Sequence, residues 1–445
     1  MILHQDPICA LATAPGVGAI AVIRVSGENA LGIVDEIFQG KKLSKAPSHT
    51  AHFGLIKNGE SVIDEVLVTV FQSPKSFTKE DTAEIACHGS PYIVKEILKL
   101  LLAKGCKMAQ PGEFTQRAFL NGQFDLVQAE AVADLIEADS AAAHEIAINQ
   151  LRGGFSDKLT ILRDELIHFA SMVELELDFG EEDVEFADRD DLKKLIFELQ
   201  SQLRPLIASF ASGNALKEGI PVAIIGQPNV GKSTLLNALL RDEKAIVTDI
   251  AGTTRDAIED TMVLGGIKFR FIDTAGIRST SDVVENIGIE KSKNALQKAS
   301  IVILMYDKTE ERAYLIDNFQ ELLTNKTVIW VKNKADINKE KVEETDISLI
   351  AKESKGIADL EEKLLEIVNA KTQGDLILTN MRHYDLLTKT DESLTEVLNG
   401  LDLNITGDFL AQDIRLALHY LGELTGTITT DDLLANIFGK FCIGK

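Results

Sequence analysis

Cysteine is scarce in this sequence, with four residues in 445: Cys9, Cys87, Cys106 and Cys442. None belongs to a short paired spacing, so the pattern indicates neither a disulfide framework nor a zinc site. Cys442 occupies the position of a prenylated cysteine, but Gly444 and Lys445 do not suit that signal. We therefore expect an unlipidated protein of the reducing cytoplasm.

The sequence also lacks long apolar runs, and its basic residues are fewer than its acidic residues. The longest apolar runs, such as Ile301 to Tyr306, are far shorter than the roughly 20 residues that cross a bilayer. No basic segment leads into an apolar one at the amino terminus, which predicts neither export nor a membrane span. Lys and Arg total 46 against 69 Asp and Glu, giving a net charge of -23. Broad electrostatic binding of nucleic acid is therefore not expected, and any RNA contact must be local or come through a basic partner.

The pattern of apolar residues and of Gly and Pro divides the chain into predicted domains. Residues 1–120 mix short β-branched runs with a helical stretch near Ile93 to Leu102, which indicates an α+β domain. Residues 121–215 and 377–445 carry apolar residues at helical spacing, interrupted by the acidic stretch Gly180 to Asp191, which we interpret as a solvated loop. In residues 216–376 strands alternate with helices, which favours a mostly parallel sheet covered on both faces. The prediction is a multidomain α/β and α+β protein whose helical domain is interrupted by an inserted α/β domain.

The string Gly226 to Ser233 (GQPNVGKS) matches the phosphate-binding loop of P-loop proteins. It follows the apolar strand Pro221 to Ile225 and opens a helix, and this context weighs against the alternative of a simple glycine turn. Backbone N–H groups and the helix start would bind phosphates, Lys232 would neutralise the outer oxygens, and Ser233 could bind Mg²⁺. The expected GTP contacts here are Asn229, Val230, Gly231, Lys232, Ser233 and Thr234.

Two further strings follow later strands. Asp273 to Gly276 (DTAG) comes after the alternating strand Ile267 to Ile272, which predicts a carboxylate near Mg²⁺ and an N–H near the γ-phosphate. Asn333 to Asp336 (NKAD) comes after the strand Thr327 to Val331. An ionised Asp336 can accept hydrogen bonds from the ring N–H and amine of guanine, whereas adenine presents the wrong pattern. The sequence thus predicts GTP, with contacts from Asp273, Thr274, Ala275, Gly276, Asn333, Lys334 and Asp336.

The stretch Thr248 to Thr254 (TDIAGTT) has neither helical nor strand periodicity and is predicted to be the first switch. A threonine hydroxyl, assigned to Thr254, would complete the Mg²⁺ shell when the γ-phosphate is present. An ordinary polar loop is the alternative. The expected GTP contacts are Thr248, Asp249, Ile250, Ala251, Gly252, Thr253 and Thr254.

Ile277 follows the DTAG string, where many GTPases carry the glutamine that orients the attacking water. An apolar side chain cannot do this. In other GTPases an arginine finger raises the rate of hydrolysis by about three to five decades. Because the sequence offers neither this glutamine nor an evident arginine finger, the charge of the transition state must be stabilised by other groups. The candidates are a cation near the phosphates and a carboxylate of the second switch.

Several strings besides the nucleotide motifs are similar to those of the MnmE (TrmE) family of bacterial tRNA-modification GTPases. They are Ile23 to Gly27 (IRVSG), Ser76 to Gly89 (SFTKEDTAEIACHG), Pro111 to Asp125 (PGEFTQRAFLNGQFD), Gln128 to Ala131 (QAEA) and Phe441 to Lys445 (FCIGK). The resemblance runs nearly end to end. It implies an N-terminal folate-binding and dimerisation domain and a helical domain split around a Ras-like P-loop GTPase domain.

The resemblance also implies a homodimer and a FAD-containing partner of the MnmG type in a heterotetramer. In that family the pair adds a (carboxymethyl)aminomethyl group to carbon five of the wobble uridine of certain tRNAs. The one-carbon unit is carried by 5-formyltetrahydrofolate or a related tetrahydrofolate.

Matching residues take on roles through this resemblance. Asn229, Thr248, Ile250 and Thr253 would bind K⁺, and Lys232 and Glu285 would be catalytic, with Glu285 positioning the hydrolytic water. Hydrolysis would require two GTPase modules to meet face to face.

The expected folate-binding residues are Arg24, Glu84, Gln123 and Lys445. Gln123 stands where a lysine can occur in the family, and an ordinary structural ion pair is the alternative for Arg24 and Glu84. Ile350 departs from a serine that usually precedes Ala351, whose N–H is expected to reach the base oxygen.

Two other functions are compatible with the nucleotide motifs. A ribosome-assembly GTPase switch of the Era or EngA type commonly adds an RNA-binding domain with a Gly-x-x-Gly loop and a basic surface. Residues 377–445 lack glycines at that spacing and contain ten acidic and five basic residues, which weighs against that reading. The third possibility is a regulatory GTP sensor whose outer domains serve only as a scaffold.

Overall fold

A computed structural model describes residues 6–154, 156–178, 189–241, 259–272, 285–324, 326–338, 346–369, 377–403 and 405–444. The chain forms two compact units. The first contains Met1–Ile136, Ile148–Phe197 and Lys389–Lys445, and the second contains Glu137–Ala147 and Glu198–Thr388. The predicted domain boundaries at residues 121, 216 and 377 stay predictions. Within the described ranges, no helix combines the length and apolar character needed to span a bilayer.

The first unit contains a seven-stranded sheet in the order β3-β4-β5-β6-β2-β1-β7. Neighbouring strands are antiparallel except β1 and β7, which are parallel. The strands are β1 (Ile8–Leu11), β2 (Ile20–Ser26), β3 (Phe38–Gln39), β4 (Thr50–Asn58), β5 (Ser61–Phe71), β6 (Thr82–His88) and β7 (Lys107–Met108).

Burial alternates along these strands, as the period-two pattern of a half-buried sheet requires. In β5, Val66, Val68 and Val70 are buried, and helices α1 (Ala30–Asp35) and α2 (Pro91–Ala103) contribute to the same core. The intervening residues of β5, among them Leu67, lie on the opposite face. On that face, Leu67 and its β4 partner Phe53 are 45% and 67% exposed among the described residues.

Helices follow this sheet, and the apolar spacing predicted those beyond residue 125. The helices are α3 (Glu113–Leu120), α4 (Leu126–Glu137), α5 (Ala141–Leu151), α6 (Ser156–Asp178) and α7 (Arg189–Glu218). The predicted loop Gly180 to Asp191 is wrong at its end, because residues 189–191 begin α7.

The second unit contains a six-stranded sheet in the order β13-β12-β11-β8-β10-β9, parallel except for the edge pair β9 and β10. Its elements are β8 (Ile220–Gly226), α8 (Lys232–Arg241), β9 (Asp260–Leu264), β10 (Ile267–Phe271), α9 (Glu285–Lys298), β11 (Ile301–Tyr306), α10 (Thr309–Leu323), β12 (Thr327–Lys332), β13 (Ile347–Ser348), the 3₁₀ turn Ala351–Glu353 and α11 (Ile357–Asn369).

The central strand β11 is buried on both faces, which explains its unbroken apolar run. Ile301, Ile303 and Met305 face one apolar core, and the alternate residues face the other. The predicted mostly parallel sheet with helices on both faces is confirmed.

Three helices end the chain: α12 (Met381–Asp402), α13 (Gly407–Thr425) and α14 (Asp431–Phe438). In the first unit, α13 packs along α6, and α14 packs on α3. Leu434 and Phe438 of α14 share an apolar cluster with Leu126 and Ala129 of α4. The carboxyl-terminal segment is thereby fixed to the N-terminal part of the chain.

Candidate GTP-binding site

The phosphate-binding loop joins the carboxyl end of β8 to the start of α8. Asn229 (φ 64°) and Gly231 (φ 108°) have left-handed backbone, a conformation in which neighbouring N–H groups can converge on one concave side and bind an anion. At Gly231 a side chain is sterically excluded, because a Cβ atom would overlap the amide nitrogen of Asn333. The loop therefore requires glycine here for two independent reasons.

Lys232 is the first residue of α8, and its ammonium group lies at the loop. Its Nζ donates to the carbonyl oxygens of Gly226 and Gln227 at 2.7 and 2.9 Å. Burial lowers the pKa of Lys232, an effect partly offset by Glu311. The two carbonyl acceptors are neutral, so a charged phosphate oxygen would be a stronger partner for the same ammonium group.

Ser233 and Thr234 follow in the first turn of α8, with Ser233 half-buried and Thr234 exposed. Asn229, at the tip of the loop, is also exposed. The hydroxyl and amide oxygens of these side chains are hard ligands of the kind that Mg²⁺ and other oxygen-binding cations prefer. The residues present are therefore suited to the predicted cations.

Asn333 connects the phosphate-binding loop to two later segments. This side chain is buried directly after β12, and its Nδ2 donates to the Val230 carbonyl at 2.7 Å. Its Oδ1 accepts the N–H of Ala351 at 3.0 Å. The structure thus brings together Val230, Asn333 and Ala351. The Ala351 N–H already has an acceptor, so the expected contact with a base oxygen would require a change of partner.

Lys334 and Asp336 lie in a turn after Asn333. Lys334 has left-handed backbone (φ 56°), and its carbonyl accepts the N–H groups of Ile337 and Asn338 at 3.0 Å each. The Lys334 ammonium lies 2.9 Å from Oδ2 of Asp307, which directly follows β11. Asp336 is exposed, so its carboxylate is accessible to a ligand with paired N–H donors.

Part of the predicted site lies outside the described residues. This applies to the first-switch residues Thr248, Asp249, Ile250, Ala251, Gly252, Thr253 and Thr254, and to Asp273, Thr274, Ala275, Gly276 and Ile277. Glu285 is the first residue of helix α9.

The predicted folate residues Arg24 and Glu84 face each other on the paired strands β2 and β6. Nε and Nη2 of Arg24 lie 2.9 and 2.8 Å from Oε1 of Glu84, and neither side chain is fully buried. The guanidinium group also lies 5.6 Å from the ring centroids of Phe77 and Phe114. Arg24 and Glu84 thus form an ion pair beside two aromatic rings. The sequence analysis did not predict that Phe77 and Phe114 lie near this pair.

The structure gives less information on the other two predicted folate residues, Gln123 and Lys445. Gln123 is exposed, and Lys445 lies outside the described residues. Gly444 (φ 97°) packs so closely on β1 that a Cβ atom would overlap the Leu11 carbonyl oxygen. Because the residue before Leu11, Ala10, is paired with Arg24, the end of the described chain is brought near the strand that carries Arg24.

The sequence reasoning missed a buried carboxylate directly before β13. Asp346, whose side chain is 0% exposed, accepts hydrogen bonds from the Tyr306 hydroxyl at 2.7 Å and from Nε of Arg312 at 3.1 Å. The Arg312 guanidinium lies 4.5 Å from the Trp330 ring centroid. No local pattern distinguishes Asp346 from the acidic residues around it, so the sequence offered no signal.

A cleft of about 1000 Å³ in the first unit was also missed. Its wall includes Arg117, whose guanidinium nitrogens lie 3.3 Å from Glu80 and 2.9 Å from Glu113, and Phe438 of α14. These three charged residues belong to the strings SFTKED and PGEFTQRAFLNGQFD. Those strings carried the family resemblance, but Glu80, Glu113 and Arg117 were assigned no role.

The fold and the site together define a P-loop GTPase module, with a GQPNVGKS loop between β8 and α8 and an NKAD segment after β12. Family models described as "GTP-binding protein TrmE N-terminus" and "MnmE helical domain" match residues 7–123 and 126–442. The tRNA modification GTPase MnmE of Cytophaga hutchinsonii is 54% identical over 99% of this chain and 98% of its own length. The chain belongs to the MnmE family of tRNA modification GTPases, which are GTP-hydrolysing enzymes.

Other relatives agree with this assignment. The proteins of the same name from Christiangramia forsetii and Flavobacterium psychrophilum are 53% and 52% identical, over 99% and 100% of this chain and equal shares of their own lengths. The resemblance seen in the motifs is confirmed. A solved structure of the FeoB G-domain from Methanococcus jannaschii matches 33% of this chain and 96% of its own, with 24% identity and a TM-score of 0.25. That score is too low to bear on the fold.

Proposed function

We propose that this chain binds and hydrolyses GTP in the cytoplasm and that hydrolysis drives a step in tRNA modification. The observation that carries the proposal is the link made by Asn333 between the Lys232 loop and the segment containing Asp336. This link connects the loop that carries Lys232, the proposed phosphate-binding group, to the segment that carries Asp336, the proposed guanine acceptor. Membership of the MnmE family supports tRNA as the final substrate.

In this proposal Lys232 leaves the Gly226 and Gln227 carbonyls and pairs with the outer phosphate oxygens. Asp336 accepts the guanine N–H donors, which gives preference over adenine. Ser233, with Thr254, would hold Mg²⁺, and Asn229, with Thr248, Ile250 and Thr253, would hold K⁺. Such cations, when bound, neutralise charge on the phosphate oxygens.

Glu285 is proposed to position the hydrolytic water in place of the glutamine that this chain lacks. Glu285 is the first residue of α9, and the helix dipole favours negative charge in the first turn. We expect a dimer of GTPase modules to bring this segment into position.

Phosphate release from GTP tests the enzymatic part of the proposal. Glu285→Ala should lower turnover while GDP affinity stays within about twofold of the parent protein, and Glu290→Ala, an exposed glutamate on the same helix, should change neither. Normal turnover in Glu285→Ala would rule out its role. Nucleoside analysis of tRNA from a strain lacking this protein should show loss of the wobble (carboxymethyl)aminomethyl group, and unchanged tRNA would rule out the modification.

The open face of the first sheet supports a homodimer. Ile20, Phe53 and Leu67 are 67%, 67% and 45% exposed, and Phe53 and Leu67 are directly paired across β4 and β5. Adjacent exposed apolar side chains on a sheet commonly mark a protein interface. Phe53→Glu should shift sedimentation toward the monomer, whereas Ile161→Glu on α6 should not. A dimer unaffected by Phe53→Glu would place the interface elsewhere.

The Arg24–Glu84 pair supports a folate site on the same unit. A carboxylate can accept paired N–H donors from a pterin ring, and a guanidinium group can bind a carboxylate or stack on a planar ring. We propose that Gln123 and Lys445 complete the site for 5-formyltetrahydrofolate or a related tetrahydrofolate. A FAD-containing partner of the MnmG type, forming a heterotetramer, would bring tRNA to this one-carbon unit.

A further inference from the structure

We infer that Asp307 is a positioning residue for guanine-nucleotide recognition, an inference that rests on the proposed GTP site. Asp307 directly follows β11. Its side chain contacts Lys334 of the NKAD segment, and its backbone carbonyl accepts a hydrogen bond from Asn338, two residues beyond that segment. It does not belong to any of the nucleotide motifs. Its role is to fix the position of Lys334 and of the turn that carries Asp336.

The side-chain contact is the ion pair with Lys334. Nζ of Lys334 lies 2.9 Å from Oδ2 of Asp307, with the aspartate side chain 16% exposed and that of the lysine 37% exposed. Lys334 also has left-handed backbone, which a residue with a Cβ adopts only when its surroundings hold it there. The ion pair therefore places the ammonium of Lys334 at the carboxyl end of β11.

The backbone contacts fix the rest of the turn. The Asp307 carbonyl oxygen accepts Nδ2 of Asn338 at 3.1 Å, and its N–H donates to Oε2 of Glu311 at 2.8 Å. Asp307 is therefore held in place by Glu311 of α10. It in turn binds Lys334 and Asn338, which lie before and after Asp336 in the sequence. A base-binding carboxylate gains affinity when its turn is ordered before the ligand arrives, because less conformational entropy is lost on binding.

Lys334 lies two residues before Asp336, so fixing the Lys334 side chain also restrains the turn that carries the proposed guanine-reading carboxylate. A lysine carries substantial rotamer entropy when it is free, so releasing its ammonium from Asp307 would cost affinity without removing any direct ligand contact. Asp307 thus acts through Lys334 and does not touch the base. This distinguishes it from Asp336.

The test is a double-mutant cycle measured by titration of a fluorescent GDP analogue with Mg²⁺ present. Asp307→Ala should raise the Kd about threefold to tenfold, the range expected when a partly buried charge pair is broken. Lys334→Met, which keeps the stem and loses the charge, should also weaken binding. The double variant should be no weaker than Lys334→Met alone, because each change removes the same ion pair.

Two further variants keep the result interpretable. Asp307→Asn retains an acceptor oxygen of nearly the same shape and should recover part of the affinity lost in Asp307→Ala. Glu310→Ala removes an exposed carboxylate three residues away and should bind GDP like the parent protein. In GTP turnover, the Asp307→Ala defect should fall on KM more than on kcat, which a general loss of folding would not produce.

The inference is wrong if Asp307→Ala binds GDP as tightly as the parent protein, or if the losses in the two single variants simply add. Asp336→Asn serves as an independent measure of the proposed function. If Asp336→Asn loses GDP affinity and Asp307→Ala does not, the GTP site stands and only the role of Asp307 fails. If the parent protein does not bind GDP, the proposed function fails.

Discussion

Replacing Asn333 by alanine removes the side chain that joins three segments of the GTPase module. The side chain makes two hydrogen bonds, at 2.7 Å to the Val230 carbonyl and 3.0 Å from the Ala351 N–H. Val230 and Ala351 are 1% and 3% exposed, so water cannot readily replace the missing partner. The variant leaves a buried acceptor and a buried donor unpaired.

The magnitude follows from these contacts. Leaving a buried polar group without its partner costs about 1–3 kcal/mol. With two such groups and some relaxation, we expect Asn333→Ala to lower the free energy of unfolding by about 2–5 kcal/mol. The protein contains a single tryptophan, Trp330 on β12. Its fluorescence during urea denaturation therefore reports unfolding of the unit that contains Asn333.

A matched control is available on α10. Asn318 is exposed and its amide donates only to the Tyr314 carbonyl of the preceding turn among the contacts described. Asn318→Ala should change the free energy of unfolding by less than about 0.5 kcal/mol, as surface substitutions usually do. If Asn333→Ala is no less stable than Asn318→Ala, the reasoning that Asn333 joins these segments is refuted.

Three further predictions concern ligands. Replacing K⁺ by Na⁺ at equal ionic strength should slow GTP turnover, and equal rates would remove the cation from the mechanism. Asp336→Asn should weaken GTP binding about 10-fold to 100-fold and favour xanthosine triphosphate, because a charged acceptor is lost and a donor appears; retained guanine preference would contradict the assignment. Arg24→Ala should lose at least about tenfold in calorimetric affinity for 5-formyltetrahydrofolate while GDP binding is kept, and full folate affinity would contradict the site.

Local patterns predicted the elements that build the GTPase module. The apolar run Ile301 to Tyr306 coincides with β11, because a strand buried on both faces needs apolar residues at every position. The phosphate-binding loop lies between strand and helix, where its string placed it. The glycines, Lys232 and Ser233 of that loop follow from short-range chemistry, which a sequence shows directly.

Contacts between distant residues could not be predicted in the same way. The Tyr306–Asp346 hydrogen bond joins residues 40 positions apart, and no period or motif links them. The Arg24–Glu84 pair spans 60 positions, and only the register of β2 and β6 brings the two side chains together. The acceptor of the Ala351 N–H was likewise invisible, because it depends on the side-chain orientation of Asn333.

The central claim is that the loop at Lys232 and the segment at Asp336 form one guanine-nucleotide site. The most direct measurement is equilibrium binding of labelled GDP and GTP to the purified chain, with Mg²⁺ and K⁺ present and unlabelled ATP as competitor. We predict saturable binding of one nucleotide per chain that excess GTP abolishes and excess ATP leaves intact. No saturable binding, or equal competition by ATP and GTP, would contradict the account.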